Sequence, residues 1–174
     1  VLVTNGSAES NFIANWSTLD AGDEIVYMLP NYMQIWGLAN ALSAEVKPLY
    51  LREELSWQPD LDELRNLVSP QTKVIAICNP NNPTGSVLSQ QGMDEVVRLA
   101  READAWLFVD EVYRGAELDG VETPSMWGRY EKAVISGGLS KAYGLPGLRI
   151  GWLIGPKEFI ETAWAYTDYT SITT

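Results

Sequence analysis

Ser140-Lys141-Ala142-Tyr143-Gly144-Leu145-Pro146-Gly147-Leu148-Arg149-Ile150-Gly151 follows one short apolar run, Ala133 to Ile135, and leads into another, Arg149 to Ile154. A lysine therefore stands in a glycine-rich turn after an expected strand, with an arginine eight residues on. An amine held there can form a Schiff base with an aldehyde cofactor. The arginine can hold a phosphate through a charge-assisted, bidentate pair. Spacing alone leaves a blander reading open, because most lysines are simply exposed.

The two flanking runs belong to a longer alternation. Val1 to Thr4, Ile25 to Leu29, Val46 to Leu51, Lys73 to Cys78 and Trp106 to Val109 read as further strands, making seven. Lys73 to Cys78 is apolar almost throughout, as expected of a strand covered on both faces. Pro48 marks Val46 to Leu51 as an edge strand, since proline cannot complete a ladder. Helical periods fill the gaps. One runs to about Leu19 with Phe12, Ile13, Trp16 and Leu19 on one side, and one spans Tyr32 to Leu42. Asp60 and Ser89 are expected N-caps of two more, the second carrying Met93, Val96, Val97, Ala100 and Ala103. A last helix begins near Pro156. Strand–helix alternation of this kind predicts an α/β fold with three layers, α/β/α, around a seven-stranded, mostly parallel sheet.

Composition narrows the function. The formal charge of −11 leaves no basic stripe for a nucleic-acid backbone. No run approaches the length of a membrane span and no signal peptide opens the chain, so no membrane role and a cytoplasmic location are expected. One cysteine, Cys78, cannot build an internal disulfide. It reads as a small buried hydrophobe rather than a nucleophile. The chain has no histidine, which removes the usual base of a Ser or Cys triad and the commonest metal ligand. No metal site is expected. The chain does not open on methionine, so its first residue is not expected to be a natural start.

Two further segments join the lysine turn: Asn79-Pro80-Asn81-Asn82-Pro83-Thr84-Gly85, and Asp110-Glu111-Val112-Tyr113. Each has an ordinary reading, a β-turn for the first and a strand-ending aspartate for the second. Together with Lys141 and Arg149 they resemble the signature of the class I/II aminotransferases, enzymes of the aspartate aminotransferase fold that use pyridoxal 5'-phosphate. The resemblance covers nearly the whole chain, and implies six parallel strands with the last antiparallel. It also implies that residues 1–174 are the pyridoxal-phosphate-binding large domain of an incomplete enzyme, without the N-terminal arm and the C-terminal small domain.

The resemblance assigns roles to matching positions. Lys141 becomes the Schiff-base residue and the base that moves a proton. Asp110 pairs with the pyridine nitrogen, Tyr113 and Asn82 reach the cofactor's phenolic oxygen, and Tyr32 stacks on the ring. Arg149 takes the phosphate together with Gly6, Ser7 and Ala8, whose N–H groups open a helix. The chain departs from the family pattern at Gly138, where a hydroxyl is common; its loss is expected to weaken phosphate binding by about 1 kcal/mol unless Ser136 or Ser140 compensates. The expected activity is amino transfer between an amino acid and a 2-oxo acid by a homodimer. A carbon–sulfur or related lyase on the same core is an alternative, as is a catalytically silent binding or structural module. Trp16, Trp36 and Trp164 are candidate subunit or domain contacts.

Overall fold

The computed structural model describes all residues, Val1–Thr174. The strands are β1 (Leu2–Asn5), β2 (Glu24–Leu29), β3 (Glu45–Tyr50), β4 (Thr72–Cys78), β5 (Trp106–Asp110), β6 (Ala133–Gly138) and β7 (Ile150–Ile154). The helices are α1 (Gly6–Thr18), α2 (Gln34–Ala41), α3 (Leu61–Leu67), α4 (Gln90–Glu102) and α5 (Lys157–Thr167). One sheet holds all seven strands in the order β1-β7-β6-β5-β4-β2-β3. β7 runs antiparallel to both of its neighbours, and every other pairing is parallel. This is the expected seven-stranded α/β/α sandwich.

Side-chain alternation along the strands decides which helices cover which face. Val26, Met28, Ile75, Ile77, Leu107, Val109 and Ile135 share a core with Leu64 of α3 and Met93, Val96 and Ala100 of α4. Ile25, Tyr27, Val74, Ala76, Phe108 and Val134 share the other with Ile13 of α1, Ile35 of α2 and Phe159 of α5. The period of two is thus kept through the central strands. Burying each large apolar side chain contributes about 1.5–3 kcal/mol relative to leaving it in water.

Local signals set the boundaries. Asp60 caps α3 by accepting from the N–H groups of Asp62 and Glu63, and Ser89 caps α4 by accepting from Gly92. β3 is an edge strand, with Pro48 paired to Tyr27 on its single neighbour. α2 starts at Gln34, two residues later than the sequence pattern suggests. The buried Tyr27 hydroxyl donates to the Tyr32 carbonyl at 2.6 Å, and the Asn31 side chain accepts from the Tyr32 N–H, so those residues are fixed in a turn. Trp16 packs on Tyr166 of α5 (4.8 Å between rings), so it is an internal contact between α1 and α5. Trp164 is exposed.

The first turn of α1 lies directly on the sheet. A Cβ on Gly151 would sit 2.5 Å from the Gly6 carbonyl carbon and 2.6 Å from the Ser7 nitrogen, both backbone atoms. A Cβ on Gly138 would come 3.2 Å from the Ile150 oxygen and 3.5 Å from the same Ser7 nitrogen. Only residues without side chains allow this approach. Gly151→Ala is therefore expected to lift α1 off β7 and cost about 1–3 kcal/mol, read as a lower urea midpoint. Gly147→Ala, with open space around its Cβ, is expected to stay within about 0.5 kcal/mol of wild type.

Candidate active site

Parallel α/β sheets place ligands beyond the carboxyl ends of their strands. Asp110 is the last residue of β5, and alternation from Phe108 turns it toward α1. There it is 5% exposed. One oxygen accepts the Val112 N–H at 3.0 Å, and the other accepts Asn11 Nδ2 at 3.3 Å. Burial pushes the Asp110 carboxyl above the usual range, opposed by these donors and by the nearby Ser136 hydroxyl. Cys78, at the end of β4 on the same face, is pushed up by burial and by the nearby Asp110.

Asp110 closes the floor of a cleft of about 310 Å³ that brings together residues from five loops. Ser7 and Ala8 come from the first turn of α1, and Tyr32 precedes α2. Asn82 follows β4, Tyr113 follows β5, and Lys141 and Arg149 flank the turn between β6 and β7. The amine of Lys141 lies 5.8 Å from the centre of the Tyr113 ring. The structure thus gathers eight of the ten sequence-selected residues around one space.

The turn carrying Asn82 and the Arg149 guanidinium are held from behind. The turn after β4 is anchored by Asn79, whose N–H donates to the Asp110 carbonyl at 3.0 Å, and by Asn81, which donates to Pro30 O (3.2 Å) and Thr84 Oγ1 (2.9 Å). The peptide bonds before Pro30, Pro80 and Pro83 are all cis. Asn82 itself is left to face the cleft. Arg149 adopts a left-handed backbone (φ 53°), and its guanidinium donates to Pro146 O (3.0 Å) and Ser140 Oγ (3.3 Å).

Gly6 does not line the cleft but shapes it. A Cβ there would lie 2.3 Å from Nη2 of Arg149, so the missing side chain is the space the guanidinium fills. Asn5, the residue before α1, makes no side-chain cap, which leaves the N–H groups of the first turn facing Arg149's neighbourhood.

Ser136 takes a different place from the one expected. It is fully buried, donates to Asn11 Oδ1 at 2.9 Å, and does not line the cleft. Its position on β6 puts α1 between it and the open space. Ser140 does line the cleft. Asn11 and Gln34 were not singled out in the sequence. Asn11 shares the buried face of α1 with two other polar residues, Ser10 and Asn15, so nothing in the helix pattern set it apart.

A family model described as aminotransferase class I and II matches residues 1–166. The chain belongs to the class I and II aminotransferase family. Its relatives include the capreomycidine synthase of Streptomyces vinaceus, 33% identical over 99% of this chain and 44% of that protein. The glutamate-pyruvate aminotransferase AlaA of Escherichia coli K12 is 37% identical over 91% of this chain and 40% of that protein. Among solved structures, a PLP-dependent aminotransferase from Streptococcus suis superposes with a TM-score of 0.94 at 38% identity, over 99% of this chain and 46% of that one. The chain thus spans less than half the length of these relatives.

The raised Asp110 carboxyl has a consequence for the protein without ligand. Folding favours its protonated form, whereas the unfolded chain ionises it in the ordinary carboxylate range. Between those two pKa values the folded state keeps a proton that the unfolded state has lost, so stability falls as pH rises through that window. Glu111, also raised by burial, acts with the same sign. Asp110→Asn is expected to flatten part of this slope, measured as the urea midpoint against pH.

Proposed function

We propose that residues 1–174 form the large, cofactor-binding domain of a pyridoxal-phosphate-dependent aminotransferase that moves an amino group between an amino acid and a 2-oxo acid. The observation that carries this reading is the convergence of Lys141, Asp110 and Arg149 on one cleft with an aromatic wall. The cleft's volume sits at the small end of ligand pockets, roughly 300–1,000 Å³. The cradle suits a phosphate: a guanidinium filling the space a Gly6 side chain would occupy, beside uncapped N–H groups of α1. The buried carboxyl at the other end suits a cationic ring nitrogen, whose charge would reverse the effect of burial on Asp110.

When bound, pyridoxal phosphate supplies an electron-withdrawing ring and an aldehyde carbon that accepts amines. The chain's own residues do the rest. Lys141 supplies the amine that holds the cofactor and, once free, carries a proton to and from the substrate carbon. Asp110 holds a proton on the ring nitrogen by remaining ionised beside it. Asn82 and Tyr113 donate to the ring's oxygen and stabilise its anionic form. Arg149, Ser7 and the first turn of α1 bind the phosphate, and Tyr32 covers a ring face. On this reading the arginine for the substrate carboxylate, the N-terminal arm and the small domain would come from outside residues 1–174. A cytoplasmic homodimer is proposed on the same basis. No helix of the chain is long and apolar enough to cross a membrane.

Adding pyridoxal phosphate and then borohydride is expected to fix the cofactor on Lys141, located by peptide mass spectrometry. Lys141→Ala should give no adduct, and Arg149→Ala should weaken binding about ten- to a hundred-fold, the worth of a charged hydrogen bond. No adduct in the wild-type protein, or one at a different lysine, would overturn the reading. Movement of labelled amino nitrogen from an amino acid to a 2-oxo acid separates transfer from the lyase alternative. A bound cofactor with no turnover would indicate the silent module.

A further inference from the structure

Asn11 sits in the middle of α1, 1% exposed, between the sheet and the cleft. Its amide has three partners. Nδ2 reaches Asp110 Oδ2 at 3.3 Å and Gln34 Oε1 at 3.3 Å, and Oδ1 accepts from Ser136 Oγ at 2.9 Å. An amide could in principle be turned end for end, but its neighbours forbid it here. Gln34 donates through Nε2 to the Ala8 carbonyl at 2.9 Å, which obliges Oε1 to face Asn11. A turned Asn11 would then set its oxygen against the Gln34 Oε1 acceptor. Each of the two Nδ2 hydrogens therefore has one acceptor, and the Ser136 hydroxyl is obliged to donate.

We infer that Asn11 is a positioning residue of the cofactor site, whose amide, locked by Ser136 and Gln34, holds the Asp110 carboxyl in one orientation and joins it to the first turn of α1. The inference rests on the pyridoxal phosphate reading of the cleft. Asp110 spends one oxygen on the Val112 N–H and the other on Asn11, which fixes the carboxylate plane before a ring nitrogen arrives. Through Gln34 the same network ends on Ala8, one of the residues assigned to the phosphate. The ring end and the phosphate end of the cleft are thus one hydrogen-bonded unit. Neither Asn11 nor Gln34 is required to touch the reacting atoms.

The test compares the binding of pyridoxal phosphate with that of its deaza analogue, in which the ring nitrogen is replaced by C–H. The analogue keeps the aldehyde, the ring oxygen and the phosphate but offers Asp110 nothing to pair with. Wild-type protein should prefer pyridoxal phosphate. Asn11→Leu is expected to shrink that preference at least about tenfold while changing analogue binding little, because only the carboxylate–nitrogen pair is loosened. Ser136→Ala, which removes the orienting donor and leaves both Asn11 hydrogens, should shrink it by a smaller factor, and it serves where Asn11→Leu does not fold. Equal weakening of both ligands in both variants would mark Asn11 as structural only and overturn the inference. Wild type that binds neither ligand would instead sink the cofactor reading itself.

Discussion

The cleft exists because α1 begins in contact with the sheet rather than a side chain's width above it. Gly151 and Gly138 let the Ser7 nitrogen approach β7 and β6, and Gly6 leaves the space that Arg149 occupies. With α1 at that height, Asn11 meets Asp110 and Ser136 at hydrogen-bond distance, and the first-turn N–H groups stand beside the guanidinium. The same contact is continued at the far end of the chain, where Glu9 accepts from Ser171 and Thr170 and ties the residues after α5 to this turn. Gly151 and Gly6 thus set the height of α1 and the place of the guanidinium beside it. A methyl group at Gly151 meets the backbone of α1, and one at Gly6 meets the arginine.

Much of this was legible because it is encoded locally. Asp60 and Ser89 announce their helices through side chains that bond two or three residues away. Lys141, Asp110, Asn82 and Arg149 fall at strand ends, and strand ends are visible as breaks in apolar runs. Pro48 betrays an edge because it lacks a ladder donor. What stayed hidden depends on distance along the chain. Asn11 reaches Asp110 across 99 residues and Ser136 across 125, and nothing in the residues around it records that meeting. Ser136 illustrates the opposite error. Its nearness in sequence to Lys141 suggested a ligand, but alternation along β6 aims it at the buried side of α1. Tyr32 was placed inside α2 because its neighbours are helix-compatible, while the Tyr27 hydroxyl from within the core holds it in the turn.

Electrostatics divides the cleft in a way the overall charge conceals. A protein of formal charge −11 repels anions at long range, yet Lys141, Arg149 and the open end of α1 concentrate positive charge at one side of a small space. The same space is lined by Asp110, a carboxyl that burial alone would neutralise. Three donors, from Val112, Asn11 and Ser136, offset part of that burial, but a lone buried anion still needs a cation nearby to stay ionised at neutral pH. A ligand positive at one end and doubly negative at the other satisfies both halves at once. Each half then strengthens the other, since binding the phosphate brings the ring nitrogen to a carboxylate that the amide network has already turned to face it.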